Sequence, residues 1–407
     1  MVADRFRVVA GAYAVSSYGS YLNLVALNLL VYQTTGNAFD LGLFMVVRLL
    51  SGVAAGVVAP AMVGRFTHKQ VMLWANVAQG ALLVLLVLWP HTAVLFAVAA
   101  ANGCGTTLFL VALRSTIPDL VGPARTSSAN SLVITCRSVA MVGGFASAGI
   151  VVSTLGFNAA FLVDAATFGV CAVAVAWLRV PARKDEPAGA VGTPSKRGAW
   201  LLRLGSTLII MLCLRALDGF GSSSHNVALP VYSAAWDQAR PSLFASIALA
   251  SWALGTIVAQ VAMRLSRRQF GARAFTFGTI MMSSAFILTF AGFPMAVTAV
   301  IALVAGCADG FTELSYTTYL QAFDGTVRDR LFGLSAVGEN FGFGLGMIIN
   351  AVLLEHLPPF PVVAISHGVV IPIGLVVLAF LIWTRGGDRR VGSGHRDHRN
   401  GVQVPGS

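Results

Sequence analysis

The chain has 407 residues, 57% of them hydrophobic and 11% charged, with a mean hydropathy of +0.79. Soluble domains carry about 25% charged residues, so this composition excludes an ordinary water-soluble globule and makes lipid the solvent for most of the chain. The net charge of +11 does not point to nucleic acid, because the basic residues fall in short clusters between apolar runs and form no basic face or binding motif.

A membrane-crossing helix needs about 20 apolar residues. Runs of that length predict twelve spans, at roughly 8–32, 41–63, 71–89, 93–114, 128–152, 157–178, 201–232, 242–264, 272–291, 295–318, 331–354 and 361–383. The first follows Arg5 and Arg7 and stays apolar into Leu30. That is longer than a signal-peptide core, so it reads as a retained helix.

Charge sets the orientation. With the N-terminus in the cytoplasm, the connectors on that side hold Arg65, Lys69, Arg125, Arg183, Lys184, Lys196, Arg197, Arg264, Arg267, Arg268, Arg328 and Arg330, and the tail adds Arg385, Arg389 and Arg390. Arg240 is the only Lys or Arg in an outer connector. This asymmetry predicts an even span count and cytoplasmic termini in a cell-membrane protein.

The expected architecture is all-α, with two pseudo-symmetric six-helix bundles at 1–179 and 201–384. Between them, 180–200 is rich in Pro, Gly and charge and reads as a flexible cytoplasmic linker. Residues 385–407 read as a disordered basic cytoplasmic tail, in which His395 and His398 are a weak metal signal. A shift of 202 positions lays Gly19-Ser20 on Gly221-Ser222, Arg65 on Arg267, Leu132 on Leu334 and Gly144 on Gly346, with spans and basic loops in phase. Two parallel repeats with a site between them near mid-membrane are a transporter layout. The five cysteines, Cys104, Cys136, Cys171, Cys213 and Cys307, all lie in apolar runs without CxxC spacing and read as small core residues.

Three segments carry a family resemblance. Leu113–Ser131, LRSTIPDLVGPARTSSANS, supplies Arg114, Pro118, Asp119 and the pair Ala129-Asn130 ahead of a Gly-rich fifth span. Phe161–Ala165 opens the sixth span and Arg330–Gly333 the eleventh. In these the chain resembles the major facilitator superfamily, specifically its drug- and siderophore-exporter branch, which includes macrolide efflux pumps and enterobactin exporters. The resemblance implies a monomer without cofactor. It would use protons to export a small amphipathic compound, such as a drug, an antibiotic or a siderophore-like molecule, with antibiotic resistance as a possible outcome. It also implies a cavity lined by spans 1, 4, 7 and 10. Two departures bear on coupling more than on fold. Pro60 and Gly64 stand where the span 2–3 loop has its Gly and Asp, although Arg65 and Lys69 keep its basic part. Met141–Phe145 keeps glycines but lacks the antiporter proline.

The stretch Cys307–Tyr319, CADGFTELSYTTY, concentrates the expected chemistry. Asp309 and Glu313 are four apart and share a helix face. A carboxylate near mid-bilayer costs about 3 kcal/mol or more, so it faces a cavity, a partner or a proton path. Asp309, Glu313 and Asp218 are the candidates for proton coupling, each with static pairing as the alternative. Tyr13, Ser17, Tyr21, Asn23, Arg215 and Tyr316 are candidates for the substrate cavity. Small hydroxyls on span 1 are as often packing contacts between helices. The remaining intramembrane or loop charges, Arg48, Arg65, Arg114, Arg137, Asp164 and Glu339, are gating or structural candidates. The positive first half and the negative second half are expected to face each other across the cavity and exchange ion pairs. Gly338, Gly342 and Gly346 on span 11, and Gly52 and Gly56 on span 2, are expected packing ridges. His225, His356 and His367 read as isolated. No HExxH, GxSxG or Walker loop is present, so neither an enzyme nor a self-powered ATPase is expected. The partners expected are a small-molecule substrate, protons and the lipid bilayer. An importer of a small metabolite, and a transporter-like lipid scramblase or receptor without a coupled cycle, stay open as alternatives.

Overall fold

The computed structural model describes residues 2–122, 125–178, 206–266, 270–321, 323 and 325–393. The expected linker at 180–200 lies outside the described residues, as do His395 and His398. All the secondary structure described is helical: α1 Val2–Thr35, α2 Ala38–Arg65, α3 His68–Leu88, α4 Thr92–Val121, α5 Thr126–Trp177, α6 Ser206–Trp236, α7 Pro241–Ser266, α8 Ala272–Thr289, α9 Met295–Gln321, α10 Gly325–Leu354 and α11 Pro359–Ser393. The tail was expected to begin at 385, yet α11 continues to Ser393. A helix keeps its backbone hydrogen bonds internal as it leaves lipid, which favours continuation.

Ten of these helices are long and apolar enough to cross a membrane. One of them, α5, contains two rods. Gly156 has φ 81° and ψ 174°, outside the helical region, and breaks the 52 residues into arms at 126–155 and 157–177. The fifth and sixth expected spans are these arms. The 31-residue α6 falls outside the ten, because Arg215, Asp218 and a Ser-rich turn dilute its apolar content. Counting it and both arms of α5, twelve helical rods correspond to the twelve predicted spans.

Local sequence sets the helix starts. Asn37 accepts from the amides of Phe39 (2.7 Å) and Asp40 (3.3 Å), so the turn before α2 satisfies its first free donors. Thr67 and Gln70 form a capping box at the start of α3.

The helices pack as a first lobe, α1–α5, and a second, α6–α11, with matching neighbours. In the first lobe α1 packs on α5, α2 on α4, and α3 on both α4 and α5. In the second α6 packs on α10 and α11, α7 on α9, and α8 on α9 and α11. Two close approaches show the repeat at atomic level. A Cβ at Gly144 would lie 2.6 Å from the carbonyl oxygen of Tyr18, and one at Gly346 would lie 2.8 Å from that of Phe220. Both the glycines and the carbonyls are 202 positions apart, the register read from the sequence. Gly342 sits likewise against the backbone of Ala216, and Gly52 against the carbonyl of Gly103, so both expected ridges are packing surfaces.

The two ends of the bundle differ. At the far end, away from the N-terminus, one apolar core draws on both lobes: Leu22, Leu41, Phe44 and Phe145 with Val227, Phe244, Met347 and Ala351. There the Phe39 amide donates to Glu355 (3.0 Å), and the Ser242 hydroxyl donates to the Gly149 carbonyl (3.2 Å). At the near end the apolar packing divides. One cluster, with Phe6, Val71, Phe109 and Leu113, is built from the first lobe, and another, with Met211, Phe275, Leu320 and Leu331, from the second.

Adding bulk at a backbone contact should separate packing from helix propensity. Gly144→Val is expected to lower the melting temperature in detergent, as overpacking of about 1–3 kcal/mol does. A Cβ at Gly169 meets nothing within 4 Å, so Gly169→Ala should hold or raise it, by up to about 1 kcal/mol. Equal melting temperatures for both variants would contradict the close approach of α1 and α5.

Candidate transport cavity and charge cluster

A cavity of about 650 Å³ lies between the lobes. Tyr21 and Asn28 of α1, Arg48 of α2, Asn102 of α4, and Arg137 and Phe145 of α5 form the first-lobe wall. Asn226 and Leu229 of α6, Leu249 and Trp252 of α7, and Asn340, Phe343 and Met347 of α10 form the other. Spans 1, 4 and 7 contribute as expected. The tenth, α9, does not line it, because α7 stands in front. Gly306 of α9 packs on the carbonyl of Trp252, and the Trp252 indole faces the cavity. Its Nε1 donates to Asp309 at 3.1 Å, which places Asp309 one side chain behind the wall.

The acidic residues gather around one cation. Arg215 grips Glu339 through Nε (3.1 Å) and Nη2 (2.9 Å), Glu313 through Nη2 (2.5 Å) and Asp218 through Nη1 (3.4 Å). A guanidinium can do this because its donors form a planar fork. Three helices, α6, α9 and α10, are thereby tied together. The Arg215 side chain is 9% exposed, whereas Glu313 and Glu339 are 51% and 42% exposed. One face of the cluster is therefore open, and the opposite face is buried. On that face Tyr316 lies under the guanidinium, 5.3 Å from centroid to Cζ, and packs on Phe275.

The expected exchange of charge between lobes takes a different form. Asp218, Glu313 and Glu339 are engaged by Arg215 of their own lobe, and Asp309 by Trp252. On the first-lobe side, Arg137 donates to the Tyr21 hydroxyl at 2.8 Å, and Arg48 stands in the cavity wall. Asp164 is fully buried and accepts from Asn23 (2.7 Å), Ser20 (3.4 Å) and Thr167 (3.3 Å). It joins α1 to the second arm of α5 rather than facing the seam.

Several cavity candidates sit elsewhere. Tyr13 stacks on Phe109 at 5.5 Å inside the first-lobe core. Ser17 is buried, Asn23 is spent on Asp164, and Tyr316 supports Arg215. Of the six, Tyr21 alone lines this cavity. The polar face of α1 is thus divided between helix packing and the cavity, and only the helix's rotation decides which residue does which. Arg65 and Arg114 are exposed, toward the near end of α2 and α4.

The Major Facilitator Superfamily description matches residues 9–323. The chain belongs to the major facilitator superfamily. Over 165 residues it is 23% identical to the uncharacterized MFS-type transporter YfiS of Bacillus subtilis (strain 168); this match spans 40% of either protein. Two crystal structures of the nucleoside transporter NupG share the fold. A point mutant superposes with TM-score 0.72 at 16% identity, over 93% of this chain and 99% of that one. The other has TM-score 0.65 at 18% identity, over 91% and 99%.

Two features of this superfamily member escaped the sequence reading. His225 and His367 are not isolated: their ring nitrogens lie 3.1 Å apart, His367 meets the Ser283 hydroxyl at 3.1 Å, and Phe286 stacks on His225 at 3.6 Å. The four residues come from three helices, α6, α11 and α8, so no local spacing announces them. Asn102, Asn226 and Asn340 line the cavity. The signal of Asn102 was available, since it is a lone amide in an apolar run, where an unmet polar group is costly; Asn226 follows Ser222–His225 and Asn340 follows Glu339, so neither stood out from its neighbours.

Removing the shared cation tests the cluster. Arg215→Met leaves the carboxylates without their counter-charge and should destabilise the fold, by less than the roughly 3–5 kcal/mol of a fully buried pair, because water screens the half-exposed Glu313 and Glu339 and only Asp218 is left buried. Adding Glu339→Gln should restore part of that loss in thermal unfolding. An Arg215→Met protein as stable as the wild type would contradict the arrangement.

Proposed function

We propose that the chain is a secondary transporter that exports a small amphipathic organic compound across the cell membrane by alternating access, coupled to protons. The observation that carries this reading is the asymmetry of the seam. Apolar contact between lobes is concentrated at the far end, while the acidic cluster is open on one face. The near end bears the basic connectors, so the positive-inside rule makes it cytoplasmic and this conformation inward-facing. Rocking the lobes would part Phe39 from Glu355 and Ser242 from Gly149 and open the far end.

Asp218, Asp309, Glu313 and Glu339 lie around a single cation. The cluster therefore holds more acid groups than Arg215 neutralises, and a bound proton is a ready compensating charge at membrane depth. Asp309 is the link to cargo, through Trp252. Export rather than import rests on the resemblance carried by Leu113–Ser131.

Purified protein in proteoliposomes tests the reading with a panel of amphipathic drugs and siderophore-like chelators. Accumulation should follow an imposed proton gradient. Asp309→Asn or Glu313→Gln should abolish it while leaving membrane expression normal. Wild-type rates in both variants would refute the coupling assignment, and lipid exchange between leaflets without a proton requirement would show a scramblase instead.

A further inference from the structure

The charge exposed in the cavity is unbalanced in one direction. Two arginines, Arg48 and Arg137, stand in its wall, and no Asp or Glu is among its lining residues. Among the described residues, Arg48 has no hydrogen bond or ion pair, and Arg137 has the neutral Tyr21 hydroxyl. The carboxylates of the second lobe do not supply the missing charge. Asp218, Glu313 and Glu339 are on Arg215, and Asp309 accepts from Trp252. In the first lobe Asp164 acts on Arg48 through space, but it lies outside the cavity wall and is already met by Asn23, Ser20 and Thr167, so it balances at most one of the two guanidinium charges. The remaining positive charge is costly at membrane depth, and the compensating group is an anion.

A second observation points to a ligand at the same wall. Asn102 is 8% exposed, and its Oδ1, like that of Asn28, has no hydrogen-bond partner among the described residues. Both side chains line the cavity. Buried acceptors are normally satisfied; these oxygens lie just beneath the cavity surface, so a donor on a bound molecule would complete them once the amides turn toward it. Opposite stand Trp252 and Phe343, an apolar wall for a ring or chain.

We propose that the cargo is an organic anion, with an aromatic or aliphatic body bearing a carboxylate-type headgroup. Arg48 and Arg137 hold the headgroup, Asn28 and Asn102 accept from a neighbouring N–H or O–H, and the body lies against Trp252. This rests on the transport reading only in taking the cavity as the cargo site, and it is independent of proton coupling.

Equilibrium binding without any gradient tests it, in nanodiscs of phosphatidylcholine so that anionic lipid does not compete. The probes are naphthyl, biphenyl and decyl carboxylic acids, each with its matched amide and amine, read by tryptophan fluorescence. For at least one body the acid should bind about tenfold or more tighter than its amide and amine, the scale of one charge-assisted contact. Arg48→Gln and Arg137→Gln should each narrow that ratio, and Arg48→Lys should retain part of it. Acids that nowhere exceed their amides or amines overturn the proposal, as does a ratio unchanged in both Gln variants. Acid binding that persists in Asp309→Asn and Glu313→Gln proteins, with transport unaffected by either substitution, supports the anion site and sinks the coupling assignment instead.

Discussion

The guanidinium of Arg215 is the contact on which the second lobe turns. Burying carboxylates in a lipid-embedded bundle is unfavourable unless a cation meets them with good geometry. One planar fork meets three of them, on α6, α9 and α10, and Tyr316 backs it from the buried side. The same pairing explains why those helices hold their relative positions while Glu313 and Glu339 stay open. A lysine would not serve, since a point charge lacks the fork that takes Glu339 through two nitrogens. The first lobe solves the equivalent problem with neutral donors in contact: Asp164 is met by Asn23, Ser20 and Thr167, while Arg48 acts on it only through space.

Around these fixed points the bundle has one firm seam and one loose one. Glycines let helix backbones touch within a lobe, as Gly144 does on Tyr18 and Gly346 on Phe220, which makes each lobe a stiff body. Between lobes, shared apolar packing is a far-end feature, and the near-end cores belong to one lobe or the other. Two stiff bodies joined mainly at one end are suited to rocking about a cavity at their middle. The cavity is then asymmetric in its chemistry, cationic on the first-lobe wall and aromatic on the second.

Much of the fold was legible in the sequence because lipid imposes a strong rule: each crossing must be long, apolar and internally hydrogen-bonded. Even the fifth and sixth spans, fused in one helical run, were separable, because Gly156 falls between their apolar stretches. The repeat register of 202 was legible too, through residues as sparse as Gly144 and Gly346. The site was less so. Apolar periodicity does not say which side of a polar helix meets a neighbour and which meets a cavity, so Tyr13, Asn23 and Tyr21 looked alike on α1. The pairing of Asp309 with Trp252, and of His225 with His367, joins residues more than fifty positions apart. Lone intramembrane amides such as Asn102 carried a signal that deserved the same weight as the charges.

The central claim, that the acidic cluster around Arg215 carries an exchangeable proton, is most directly read by infrared difference spectroscopy across a pH titration of the folded protein. A protonated-carboxyl stretching band is expected to appear on acidification and to be lost or shifted in Asp309→Asn or Glu313→Gln. A spectrum with no such band wherever the protein is folded, or a band indifferent to both substitutions, would contradict it.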